Sequence, residues 1–171
     1  MKFFDLFKSK NGSNNENNYG HLYDKLSHLL GLNNEQEILK CACIAGLLAR
    51  VAFVDFKIDP KEKLFINSAL KDWTNFSESQ IEVISKIAID EIKDLAGLEN
   101  HKYCQYLNEI LDNDEKYDLV ETLFAVAGSD DQVNVNEIEE IRLINRGLLL
   151  EHKHFISAQA TVLKKLASLK S

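Results

Sequence analysis

Apolar positions recur along this chain at helical spacing, and no stretch shows the strict alternation of a half-buried strand. Residues 19–30 place Leu22, Leu26, Leu29 and Leu30 on one face of a short helix. Residues 34–53 are apolar nearly all round, through Ile38, Leu39, Ile44, Leu47, Leu48, Val51, Ala52 and Phe53. A helix without a polar face belongs at the centre of a bundle. Asp59-Pro60-Lys61-Glu62 opens the next helix, which runs to Trp73: Asp59 caps, Pro60 suits the first helical position, and Glu62 reaches back to the capping amide. Ser77 to Gln80 forms a second capping box ahead of Ile81, Ile84, Ile87, Ala88 and Ile92. After Gly97 the pattern predicts a helix carrying Tyr103, Tyr106, Leu107, Ile110 and Leu111. Asp112 or Asn113 starts another, with Leu119, Val120, Leu123, Phe124, Val126 and Ala127. A turn over 128–135 leads to a helix over 136–149, and the last helix, 152–169, presents Phe155, Gln159, Val162, Leu166 and Leu169. The expected fold is all-α, a bundle of about seven to eight helices.

Before the first helix the pattern breaks. Residues 1–7 concentrate Phe3, Phe4, Leu6 and Phe7, and residues 8–18 are polar and asparagine-rich. The expected organisation is a flexible aromatic peptide and tether over 1–18, followed by a single helical domain over 19–171.

The chain also repeats itself. With Val51 set on Val126, Leu48 meets Leu123, Ala52 meets Ala127, Asp55 meets Asp130, Ile58 meets Val133, Asp59 meets Asn134, Glu62 meets Glu137 and Ile66 meets Ile141. Each copy reads as helix, acidic turn, helix. Two such hairpins related by a pseudo-twofold axis bury one shared core.

These paired turns resemble the D-G-x-Φ-x-x-x-E turns of the TerB family, named for tellurite resistance, and are most similar to its broad bacterial TerB-like branch. The resemblance covers residues 32–163, including Leu148-Leu149-Leu150, Phe155-Ile156 and Ala158-Gln159 near its end. It departs from the family pattern where Phe56 and Asp131 stand in place of glycine and Asn134 in place of an acid. The resemblance implies an all-α fold and a divalent-cation site at the acidic turns, and brings no catalytic reaction with it.

Charge and composition narrow the function. One proline and seven glycines are too few for the turns of an all-β fold this long. A formal net charge of −7 argues against a general nucleic-acid binder, which needs a cationic surface. Three cysteines and no recognisable leader do not suggest a disulfide framework. The longest apolar run, 38–54, contains Lys40 and Arg50 and falls short of the ~20 residues that span a bilayer. A cytoplasmic protein is expected.

Carboxylates at a helix–helix turn suit hard cations. The candidate ligands are Asp55, Asp59, Glu62, Asp130, Asp131 and Glu137, and the ion would be Ca²⁺, Mg²⁺ or Zn²⁺. The competing reading is helix capping alone, since Glu62 and Glu137 sit where a capping box places its glutamate, and acids near a helix N-terminus stabilise by ~0.3–1 kcal/mol without metal. Neither turn matches an EF-hand loop.

Other residues carry less. Cys41 and Cys43 are two apart on a helix and do not share a face. Cys104 has only His101 one turn earlier as a base, and packing explains it better than nucleophilic chemistry. His21, His28, His152 and His154 lack zinc-site spacing. With no phosphate-cradling glycine loop and no nucleophile elbow, no catalytic residue and no nucleotide cofactor is expected. The leading expectation is a non-catalytic, stress-related binding module whose acidic site takes a divalent cation or a basic partner. The alternatives are an interaction domain with capping turns and no metal, and, further back, a metal-dependent enzyme. A protein partner is expected, with no nucleic acid. The peptide over 1–7, flanked by Lys2, Lys8 and Lys10, is suited to an anionic membrane surface or a partner's groove, or else folds back on its own surface.

Overall fold

The computed structural model describes residues 19–31, 34–95, 100–130 and 133–169. Residues 1–18 and Asp131 lie outside these, and so do the expectations placed on them. Eight α-helices and no strand occur among the described residues: α1 His21–Leu30, α2 Glu35–Ala52, α3 Pro60–Trp73, α4 Glu78–Leu95, α5 Asn100–Ile110, α6 Asn113–Ala127, α7 Val135–Gly147 and α8 His152–Leu169. A 3₁₀ turn, Gly128–Asp130, continues α6. The all-α expectation holds.

Local chemistry sets the helix starts. Asn34 caps α2, its side chain accepting from the Glu37 amide at 3.3 Å. Reciprocal capping boxes open α3 at Asp59, α6 at Asp112 and α7 at Asn134. Ser77 and Gln80 exchange the same pair of bonds before α4, at 3.4 and 3.0 Å. Each satisfies amides that a helix N-terminus leaves without an intrahelical partner.

Helix α2 is the axis of the bundle. Its residues from Cys41 to Ala49 are buried without interruption, and it packs against α1, α3, α4, α5, α6 and α7. Gly46 permits the approach of α5, since a Cβ there would stand 2.5 Å from the Tyr103 ring. One buried apolar cluster extends from Leu22 on α1 to Val162 on α8.

Several single positions differ from expectation. Leu29 and Ile110 are exposed although they lie on the predicted apolar faces. The buried stripe of α8 is Phe155, Ala158 and Val162, with Ala158 rather than Gln159 filling the first step. Helical periodicity fixes a face to within about one position, and the neighbouring helix decides which flank it covers.

The element order repeats. At the offset that sets Val51 on Val126, Pro60 at the start of α3 falls on Val135 at the start of α7. One residue out of that register, Ile81, Ile84 and Ala88 of α4 fall on Phe155, Ala158 and Val162 of α8, all buried. Helix α4 packs on both α2 and α3, and α8 packs on both α6 and α7. The chain is therefore arranged as two three-helix units, α2–α4 and α6–α8, with α5 between them in sequence.

Candidate functional site

The two acidic turns join α2 to α3 and α6 to α7. In the first, the Phe53 amide closes α2 onto the Ala49 carbonyl at 3.0 Å, and the Phe56 amide bonds the Phe53 carbonyl at 2.9 Å. The chain then needs a left-handed residue, and Phe56 takes it with φ 66°. Its ring is 78% exposed and lies edge-on to Phe53. Asp55 stabilises the reversal by accepting from the Lys57 amide at 3.0 Å, the bond that gives Asp its preference for turns. Ile58 packs back on the core.

Asp59 accepts from the Lys61 amide at 2.8 Å, and the Glu62 carboxylate receives the Asp59 amide at 2.6 Å. Glu62 is only 5% exposed. A carboxylate tolerates this because it accepts a backbone N–H and sits at the positive end of a helix.

The second turn reaches the same end by another path. Helix α6 tightens into the 3₁₀ turn at Gly128, where a Cβ would lie 2.4 Å from Leu166, and Val133 packs on the core as Ile58 does. Asn134 accepts from the Glu137 amide at 3.0 Å and Glu137 receives the Asn134 amide at 2.8 Å. Glu137 is 4% exposed. Asn134 keeps the cap because capping needs an oxygen acceptor and no charge.

The six candidate ligands thus divide. Glu62 and Glu137 are buried and engaged in capping boxes, while Asp55 and Asp59 are exposed and hold their own turn. The backbone of Asp130 ends the 3₁₀ turn; its side chain, like Asp131, is outside the described residues. The 3₁₀ turn packs against α3, so the second turn adjoins the helix that follows the first. Among the described residues, no three His, Cys, Asp or Glu side chains are grouped so as to hold a metal ion. Asp59, Glu62 and Glu137 each make a capping hydrogen bond in this structure.

The thiols are not poised for chemistry. Burial pushes Cys41 and Cys104 up to about 12 and raises Cys43 as well. A thiol held protonated is a poor nucleophile. Burial also raises the Tyr106 hydroxyl to about 12.

One polar constellation escaped the sequence reading. Arg50 on α2 donates to Glu140 on α7 at 2.9 Å, and Asn100 at the start of α5 donates to the other oxygen of Glu140 at 2.8 Å. Glu140 is buried, so this bridge fixes the first unit, the second unit and α5 against one another. Its sequence signal was an arginine inside an apolar run; the partner lay far along the chain.

The family model described as "Tellurite resistance protein TerB" matches residues 40–160. No curated protein and no solved structure matches the chain.

Proposed function

The chain belongs to the TerB family, and from that premise we propose that it is a non-catalytic binding module whose acidic turns serve as helix caps. The observation that carries this reading is the shared fate of Glu62 and Glu137, each buried and each receiving its own N-cap amide. The raised thiols support it further, since they remove the obvious nucleophiles. The family's description ties it to tellurite resistance, and a stress-related role for this chain is part of the proposal. So are a protein partner, an absence of nucleic-acid binding and a cytoplasmic setting. No helix among the described residues is long and apolar enough to cross a membrane.

A divalent cation at the turns is the second reading. The packing of the 3₁₀ turn against α3 favours it, because α3 opens with Asp59 and Glu62. Calorimetric titration of chelator-treated protein with Ca²⁺, Mg²⁺, Zn²⁺ and Mn²⁺ separates the two. The capping reading expects no saturable heat. Saturable binding lost in Asp55→Asn/Asp130→Asn would establish the cation site instead.

A further inference from the structure

Helices α4 and α8 bury matching faces, and their outer faces differ. With Ile81 set on Phe155, the outward positions Glu82, Lys86 and Lys93 of α4 correspond to Ile156, Ala160 and Ala167 of α8. All six are exposed. The fourth position of the stripe is Ile89 in α4, 8% exposed, and Leu163 in α8, 45% exposed. Where α4 shows solvent an ordinary charged face, α8 therefore carries a second apolar stripe in addition to its core stripe.

The spacing of that stripe is four, three, four. This is the a/d repeat of a helix–helix seam, and large residues (Ile156, Leu163) alternate with small ones (Ala160, Ala167), which supplies knobs and holes for an opposing helix. Among the described residues the substantial packing partners of α8 are α6, α7 and the 3₁₀ turn. They account for the Phe155–Val162 face and leave Ile156 48% exposed.

Charge says what kind of helix fits. The chain as a whole is acidic, at −7, yet α8 contains no Asp or Glu. Lys153 and Lys164, at helical spacing from the stripe, border one flank and are exposed. On the buried side of α8, α7 lays Arg142 over the Phe155 ring at 5.0 Å, a further cation near this helix. Lys153 pairs with Glu151 and Arg142 with Glu139, but these are exposed or half-exposed pairs that an incoming carboxylate can replace at little cost. The chain's own N-terminal segment is a poor occupant, because Lys2, Lys8 and Lys10 would meet like charge. An anionic membrane fits less well than a helix, since the stripe has no aromatic residue and half of it is alanine.

We propose that the outer face of α8, Ile156-Ala160-Leu163-Ala167 beside the exposed Lys153 and Lys164, is the docking seat for an acidic amphipathic helix of a partner protein. This surface is separate from the acidic turns, and the proposal stands whether or not they bind a cation.

The test uses the full chain and two fluorescent peptides of about three heptads with leucine at a and d, one carrying glutamate and the other lysine at e and g. Anisotropy should show the glutamate peptide binding at least about tenfold tighter than the lysine peptide, with affinity falling as salt is raised. Ile156→Glu/Leu163→Glu should abolish binding with an unchanged melting curve. Lys153→Glu/Lys164→Glu, which alters only exposed charges, should reverse the preference toward the lysine peptide. Equal affinity for the two peptides, or wild-type binding by both variants, would overturn the proposal. So would flotation with phosphatidylglycerol vesicles in place of peptide binding, or a dimer in sedimentation that Ile156→Glu/Leu163→Glu dissolves.

Discussion

The two three-helix units follow the same path through the fold and end in different surroundings. In the first, α2 is enclosed by six other helices and α4 is further covered by α1, tied on through the Lys25–Glu91 ion pair. In the second, α6 packs on α2, α3, α7 and α8 but leaves one of its faces partly exposed. Positions that correspond to Ala42, Cys43 and Gly46 of α2 are Tyr117, Asp118 and Glu121 of α6, partly or fully exposed. The repeated turn is therefore a property of local capping chemistry. The core role of each copy is a property of what packs around it.

The largest expected effect breaks the symmetry. Gly46→Val forces a side chain into the Tyr103 ring and should cost about 1–3 kcal/mol, the usual cost of overpacking. Glu121→Val, at the matching half-buried position, creates no such clash and should cost less, about 0.5 kcal/mol. Urea denaturation of both variants measures the contrast, and equal costs would mean the units are buried alike.

The next effect preserves the symmetry. Glu62→Ala and Glu137→Ala each remove half of a buried capping box and should each cost about 1–2 kcal/mol. Thermal or chemical unfolding should show the two losses similar in size. A large loss at one turn and none at the other would contradict a common capping role.

A smaller effect has the opposite sign. Phe56 holds a left-handed conformation that costs a non-glycine residue roughly 1–2 kcal/mol. Phe56→Gly should raise stability by up to about 1 kcal/mol, with part of the gain offset by the lost contact with Phe53 and by the freer unfolded chain. A fall in stability would mean that the ring contact outweighs the strain.

The last effect vanishes at neutral pH. All three buried thiols lie on α2 and α5, and burial raises them from 9.0, Cys41 and Cys104 to about 12. Below pH 9 both folded and unfolded thiols are protonated and the stability is complete. As pH climbs from 9 toward 12 the unfolded chain ionises first, so stability falls. Replacing the three cysteines by alanine should flatten that alkaline slope, read from urea midpoints at pH 8 and pH 10.

Much of this was legible in the sequence because it is local. Asp59-Pro60-Lys61-Glu62 and Ser77 to Gln80 announce helix starts through bonds made within four residues. The all-round apolar run of α2 likewise announces a central helix. The repeat was visible only as a hairpin, since its third helix is one residue out of register and shares almost no residue identity between copies. Arg50, Asn100 and Glu140 meet only through tertiary packing, and nothing in their spacing links them. At the candidate site the sequence could place Glu62 and Glu137 in both a ligand set and a capping box. Burial and hydrogen bonding show the capping bonds, which the spacing alone could only suggest.

The central claim is that the acidic turns hold helices rather than ions. Its most direct test is the melting curve of the chain and of Asp55→Asn/Asp130→Asn, each in chelator and in excess Ca²⁺, Mg²⁺ or Zn²⁺. Asparagine keeps an acceptor for the Lys57 amide, so the variant preserves the first turn's hydrogen bond while removing charge. A cation that binds the folded state at 100 times its Kd would add about 2.7 kcal/mol, a shift that is easily seen. Four conditions per protein that superimpose, in wild type and variant alike, are the predicted result. A rise in melting temperature with one cation, present in the wild type and absent in the variant, would contradict it.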